Sequence, residues 1–343
     1  RKIQRIVEDK NGYIWVKTID RKLYVFNKVT ECFHAVYDDM KNYSENIQVI
    51  KLQNTAEGDV LLLTKDKNLL LAGVDEKGQV TIKILFDSRN EINKHDYTLK
   101  HHVLCETEEY ISWIGTDYKV SAVHKGAELA SRPADFITSK INSGDKDSFT
   151  SFFEDGRKVW VGDRAGIFYS IDVRTGLVNR YVLSEIKGAI SNLLVTPAGY
   201  VYLSVTGQGT YEYDLAERRL QKINTEMNDA MVTHAFIDQY DKIWFHENEK
   251  ALIYYDPLNH TANRFPFTMF GKITTLYSED AGERGLFFLS PAGEAWLFDR
   301  EHAEMVYINK LKQLSNDRAN QQFYHLMLDN DGVLWLSSAD EGV

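Results

Sequence analysis

Cysteine is almost missing from this chain. Two occur in 343 residues, Cys32 and Cys105, too few for a disulfide framework, and no C-x-x-C spacing suits a metal or redox pair. Both stand beside apolar or aromatic residues and are expected to be buried thiols. Proline is also scarce, at 5 residues. No apolar run is long enough to cross a bilayer and no signal peptide is visible. A basic excess is lacking too: 50 acidic against 40 basic residues give a net charge of −10, which argues against a nucleic-acid partner. Helical apolar periodicity is absent, as are the G-x-S-x-G, P-loop and Rossmann patterns. The histidines lack HExxH spacing. His101 and His102, as neighbours on a strand, point to opposite faces and cannot readily share one ion. No catalytic residue, metal or cofactor is therefore expected.

Aromatic residues and short glycine-bearing turns are abundant. Tyr and Phe number 19 and 17. The stretch Glu8-Asp9-Lys10-Asn11-Gly12-Tyr13-Ile14-Trp15-Val16-Lys17-Thr18 has an apolar strand before it and a second strand centred on Trp15. Near-copies place Leu61, Trp113, Trp160, Tyr202, Trp244, Phe288 and Trp335 at the Trp15 position, 42 to 52 residues apart. Short strands at a period in the forties define an all-β β-propeller of four-stranded blades. Residues 1–343 read as a single propeller, its blades starting near 1, 47, 101, 148, 189, 232, 272 and 322, with the last incomplete. Seven blades plus the opening half of another, or eight with an incomplete last, both fit. The polar stretch 128–147 reads as a fourth strand with a long connection.

Each repeated residue has a mechanical reading. Gly12 and its equivalents supply a turn position with positive φ. The Asp before it binds the turn's backbone N–H groups. Trp15, Trp113, Trp160, Tyr202, Trp244, Phe288 and Trp335 fill the wedge between neighbouring blades. Turns joining second to third strands vary more, and variable loops on a rigid scaffold are where function usually sits. Arg21, Tyr118, Lys119, Arg164, Gln208 and His246 are the ligand-binding candidates from those turns, a charged and aromatic set suited to a sugar or an anionic glycan.

At Glu8-Asp9-x-x-Gly12-x-x-Trp15-x-x-Thr18, and at Trp113-Ile114-Gly115-Thr116, the chain resembles the two-component regulator propeller repeat. The matching third-strand pattern stands at Leu23-Tyr24-Val25-Phe26-Asn27 and Gly166-Ile167-Phe168-Tyr169. Only the third copy keeps Trp-Ile-Gly-Thr intact, so the resemblance is to a diverged member. It implies seven-bladed propellers, often in tandem, in the periplasmic sensor region of hybrid two-component histidine kinases of Bacteroidetes type, so seven blades plus the opening half of another is the count expected here, with eight as the alternative. It also implies a non-catalytic fragment detecting a glycan-derived oligosaccharide. Implied partners are an adjacent propeller, an immunoglobulin-like domain and the kinase of the parent chain, with a homodimer in the full protein and no membrane contact by this fragment. The chain starts inside a strand signal and stops where another is due, so it is expected to be an excised piece of a longer sensor. A polysaccharide lyase or other propeller enzyme, and a protein-interaction scaffold, are the alternatives.

Overall fold

Short apolar runs broken by Asp, Gly and Lys-rich turns pair locally, because closing a two- to five-residue turn costs little chain entropy. The computed structural model describes residues 3–40, 43, 48–66, 68–87, 99–115, 120–126, 134–135, 149–223, 232–270, 276–280, 282–310 and 323–338. In chain order the strands are β1–β4 (Ile3–Glu8, Ile14–Thr18, Leu23–Asn27, Cys32–Ala35) and β5–β8 (Val49–Asn54, Val60–Thr64, Leu69–Val74, Val80–Phe86). Then come β9–β12 (Leu99–Glu106, Tyr110–Gly115, Val120–His124, Ala134–Asp135) and β13–β16 (Phe149–Glu154, Lys158–Asp163, Ile167–Asp172, Leu177–Val182). β17–β20 (Ile190–Val195, Tyr200–Val205, Gly209–Asp214, Arg219–Lys222) and β21–β24 (Val232–Ile237, Ile243–Glu247, Ala251–Asp256, Thr261–Pro266) follow. The last are β25–β28 (Tyr277–Asp280, Leu286–Leu289, Glu294–Asp299, Glu304–Lys310) and β29–β30 (Phe323–Leu328, Leu334–Ser338).

Each group is one antiparallel sheet with its strands in sequence order, the four-stranded blade of a β-propeller. Six of these sheets have four strands of at least four residues; in the β9–β12 sheet the fourth strand has two residues, and β29–β30 form a two-stranded sheet. Of the stretch 128–147, strand β12 alone is described. The chain divides into two compact units. One holds β1–β8 and β25–β30, the other β9–β24. Within the first unit, neighbouring first strands pack in the series β25, β29, β1, β5; within the second, β9, β13, β17, β21. The two-stranded sheet therefore stands between the seventh and first copies of the repeat, not beyond them.

Second strands are the most deeply buried, since sheets cover both of their faces: β2, β6 and β22 are buried at every position. Fourth strands are edges, and β4 is exposed throughout. Cys32 lies on that edge and is an exposed free thiol, which corrects the expectation of a buried one: the flanking Phe33 is exposed too. The side chain of Cys105 lies outside the described residues.

The repeated Asp does two things at once. Asp9 Oδ1 accepts from the backbone N–H groups of Asn11 and Tyr13, both at 3.0 Å, while Oδ2 accepts from Trp15 Nε1 at 2.8 Å. The indole bond recurs as Trp160 to Asp155 (2.8 Å), Trp244 to Asp238 (3.2 Å) and Trp335 to Asp329 (2.8 Å). Where the second strand carries Leu61 or Tyr202, Thr55 or Thr196 replaces the Asp and its hydroxyl accepts one turn N–H. Tyr202 instead donates to buried Glu212 at 2.7 Å. Trp15, Trp160, Tyr202, Trp244 and Phe288 are almost fully buried and Trp335 half-buried. The side chain of Trp113 lies outside the described residues.

A second repeated feature lies at the opposite end of the first strand. β1, β5, β13, β17, β21 and β29 each carry a bulge at their second residue against the second strand. Side chains near the bulges reach the next first strand: Thr150 Oγ1 donates to the carbonyl of Ile190, Asn192 Nδ2 to that of Val232 (both 2.7 Å) and Lys17 Nζ to that of Ile50 (2.6 Å).

Candidate functional site

The Asp-Gly turns are consumed by their own strands, as the Asp–Trp bonds show. The opposite end of each sheet holds the second-to-third-strand turns from which ligand candidates were drawn, and they too have a polar clamp. Thr18 Oγ1 accepts from Lys22 N at 3.0 Å, and Asp163 Oδ1 accepts from Ala165 N and Ile167 N, both at 2.8 Å. A side chain with any freedom must come from between the clamped residues.

Arg21 is such a residue. It is exposed, with φ of 65°, and its N–H donates to the Thr18 carbonyl at 2.9 Å. Its own carbonyl accepts from Val49 N at 2.9 Å, tying the turn to the start of β5. The guanidinium has no hydrogen bond or ion pair among the described residues. Arg164 is likewise exposed within the Asp163 clamp. Gln208 is braced at both ends: its Oε1 accepts from Lys187 N at 2.7 Å and its Nε2 donates to the Glu185 carbonyl at 3.0 Å. The same 183–188 connection packs on Gly166, where an added Cβ would lie 2.7 Å from Ile186 Cγ2. Arg164 and Gln208 thus flank one connection. Tyr118 and Lys119 lie outside the described residues.

His246 is not in a turn. β22 runs on to Glu247, which places His246 in the strand, buried, and opposite His234. The rings meet edge to face at 5.7 Å. Burial, and then His234, lower the His246 pKa to about 4, so the ring is neutral at ordinary pH. His246 Nε2 has no hydrogen-bond partner among the described residues. His101 and His102 lie on β9, with side chains outside the described residues.

Arg21 has two companions that sequence reasoning missed. Lys17, opposite Arg5 in the β1–β2 register, is buried. Its Nζ donates to Gln4 Oε1 and the Ile50 carbonyl, both at 2.6 Å. Burial, then the charges of Arg21 and Arg5, lower its pKa to about 8. Arg5 is exposed to solvent, yet desolvation by the surrounding protein lowers its pKa, against the opposing pull of Glu279. Glu279 is itself raised to about 7 by burial, while accepting from Leu328 N at 3.3 Å. Burial, then Arg5, lowers His325 to about 3.

Two other clusters stand out. Glu8, Asp329 and Asp331 bring carboxylate oxygens within 4.8 Å of one another, the spacing of a cation site. Lys28 Nζ already fills the place, at 2.7, 3.0 and 2.6 Å from them. Burial opposes its charge, but hydrogen bonds to Asp331, Glu8 and Asp329 raise its pKa. In the second unit a cavity of about 390 Å³ is lined by Thr107, Glu108, Tyr110, Arg157, Asp172 and Arg174, among others. It lies at the Asp-Gly-turn end of its sheets, where no ligand residue was expected. A single sequence carries no sign of it, because charged residues in turns are usual.

No family model matches the chain, and no curated protein matches it by sequence. Solved structures do match, and the likeness shows the fold: a β-propeller. The extracellular domain of the putative hybrid two-component system BT4673 from B. thetaiotaomicron is 14% identical, with a TM-score of 0.52, over 98% of this chain and 52% of that one. The chain thus spans about half the length of that neighbour. BamB from Moraxella catarrhalis is 10% identical with a TM-score of 0.56, over 99% of this chain and 91% of that one. Virginiamycin B lyase from Staphylococcus aureus is 12% identical with a TM-score of 0.52, over 84% and 92%. The neighbours thus include the extracellular domain of a putative hybrid two-component system and a lyase on one fold. No helix among the described residues is long and apolar enough to cross a membrane.

Proposed function

We propose that this chain is a non-catalytic, extracytoplasmic sensor domain of a hybrid two-component system, working in the periplasm and binding a glycan-derived oligosaccharide. The observation that carries this reading is the coincidence of two likenesses. The Asp-x-x-Gly-x-x-Trp turn pattern resembles the regulator repeat, and the fold is shared, over 98% of the chain, with an extracellular domain of a hybrid two-component system. Ligand binding would bias the packing of the chain against an adjacent propeller, an immunoglobulin-like domain or a second copy, and so reach a histidine kinase. Of the ligand candidates, Arg21 in the first unit and Arg164 in the second are the most available, Gln208 is braced by its own connection, His246 is buried within β22, and Tyr118 and Lys119 stay candidates from the sequence alone. The packing of β29 between β25 and β1 supports reading the eighth copy as a blade of the same propeller. Calorimetric titration with a panel of neutral and acidic oligosaccharides tests the reading. Saturable binding of one glycan class is expected, and silence across the panel would sink direct sensing.

A further inference from the structure

Net charge makes one patch of the first unit unusual. The chain carries ten more acidic than basic residues, yet three cations converge where β1, β2 and the turn after β2 meet. Arg5 and Lys17 are direct cross-strand partners, so their side chains leave the same face of the sheet. Arg21 stands in the turn three residues past the end of β2; its carbonyl accepts from Val49 N at 2.9 Å while Lys17 Nζ donates to the carbonyl of the next residue, Ile50, at 2.6 Å, so both are tied to the start of β5. Neither arginine has a hydrogen-bond or ion-pair partner among the described residues. Lys17 is buried with only the neutral acceptors Gln4 Oε1 and the Ile50 carbonyl. Burying an ammonium without a counter-charge is costly, and here two further cations add to the cost.

We propose that Arg5, Lys17 and Arg21 form a binding site for an anionic group, the carboxylate or sulfate of an acidic oligosaccharide. The sugar part of this inference rests on the function proposed above; the anion part rests on the cluster alone. Forked guanidinium groups suit a planar carboxylate or a sulfate, and the buried Lys17 ammonium, which donates to two neutral acceptors, adds positive charge beside them. The groups facing the cluster from neighbouring strands leave it positive. Glu279 on β25, with its pKa near 7, is partly protonated at neutral pH, and His325 on β29 is neutral. Lys51 follows Ile50 on β5, and Asp20 in the turn pairs with Lys22 at 3.4 Å.

The test is calorimetry at low ionic strength, where such contacts are least screened, with four probes: trigalacturonate, a sulfated galactobiose, neutral galactotriose and sodium sulfate. Acidic probes should bind and the neutral trisaccharide should bind at least tenfold more weakly. Arg5→Gln and Arg21→Gln, both at exposed positions, should each weaken acidic binding about tenfold, while Arg174→Gln in the other unit leaves it unchanged. Binding should also weaken between pH 6 and pH 9, as Glu279 gains its negative charge and Lys17 loses its positive one. Equal binding of neutral and acidic sugars, or full affinity in both arginine variants, would overturn the anion site and leave the sensor reading standing. Sulfate binding that both variants weaken, without binding of any saccharide, would support the anion site and count against an oligosaccharide ligand. Binding by none of the four probes would overturn the anion site.

Discussion

If the Asp–Trp bond is the reason the repeat keeps its aspartate, Asp9 and Trp15 should be energetically coupled, and the chain itself indicates how to test it. Its second copy has Thr55 and Leu61 at these positions. Asp9→Thr keeps a hydroxyl for the Tyr13 N–H, as Thr55 does for Asp59 N at 3.0 Å. It leaves the indole N–H of Trp15 buried without an acceptor, at about 1–3 kcal/mol, and frees the Asn11 N–H, for a total of about 2–4 kcal/mol. Trp15→Leu empties part of a site with no solvent exposure and strands Asp9 Oδ2 in the interior, at about 3–5 kcal/mol. In the double variant neither orphan exists. The two losses should therefore sum to about 1–2 kcal/mol more than the double variant shows. Urea denaturation followed by far-UV circular dichroism measures all four proteins. Additivity within about 0.5 kcal/mol, the usual result for uncoupled sites, would refute the argument and reduce the indole bond to a by-product of packing.

Other consequences follow from single contacts. Lys28→Met should destabilise the chain by about 2–4 kcal/mol at pH 7, because Glu8 and Asp329 are left buried without their cation. The Asp329 pKa is lowered despite burial, by hydrogen bonds from Trp335, Val333 N and Lys28, so its contribution is present above the ordinary carboxylate range and lost as pH falls. The gap between wild type and variant should accordingly narrow towards pH 3; a constant gap in denaturation midpoint would argue against the ion cluster. Gly156 and Gly166 share positive φ, 81° and 82°, but an added Cβ meets nothing within 4 Å at the first and Ile186 at 2.7 Å at the second. Gly156→Ala should cost about 1 kcal/mol and Gly166→Ala at least about 2 kcal/mol, read from melting temperatures. Tyr202→Phe removes one of three side chains that hydrogen-bond the buried Glu212, the others being Gln221 and Tyr255, and should cost about 1 kcal/mol; a loss below about 0.5 kcal/mol would show that Gln221 and Tyr255 suffice.

The blade pattern was legible because it rests on local rules repeated eight times. Period-2 apolar runs, positive-φ glycines and a large residue on the second strand leave little freedom in where strands fall. The Asp–Trp bond was only partly within reach: Asp precedes Trp at Asp9, Asp155, Asp238 and Asp329 and Thr stands where Trp is lost at Thr55 and Thr196, but the third copy breaks the pairing, with Thr107 in the clamp before Trp113. What misled was exposure and strand length. Cys32 has an aromatic neighbour, but an edge strand exposes both. His246 follows two apolar residues and precedes a charged run, so the strand's end could not be placed by pattern. The partners of Arg21 were hidden for a sharper reason. With regular pairing from Ile3 opposite Thr18, Lys17 would face Gln4. The bulge inserts one residue and sets Arg5 there instead, and a slip of one residue exchanges the faces of a strand.

That bulge also explains why the two ends of each sheet differ in what they can do. At the Asp-Gly end, the carboxylate is held by backbone N–H groups and an indole, so its charge is spent inside the blade. At the other end the bulge recurs in six sheets while the residue just past it changes: Arg5, Lys51, Ser151, Asn192, His234 and His325. Backbone geometry is kept and side-chain chemistry is not. A core position under packing selection would hold size and apolarity constant, whereas these six range from a guanidinium to a hydroxyl. Re-aiming side chains next to binding sites is a known use of bulges. On β1 the re-aimed residue is an arginine with no hydrogen bond among the described residues, set beside a buried lysine whose pKa has fallen to about 8. A fold that repeats its backbone this faithfully has room for specificity only where the repeats disagree, and they disagree at the bulge and in the turn that carries Arg21.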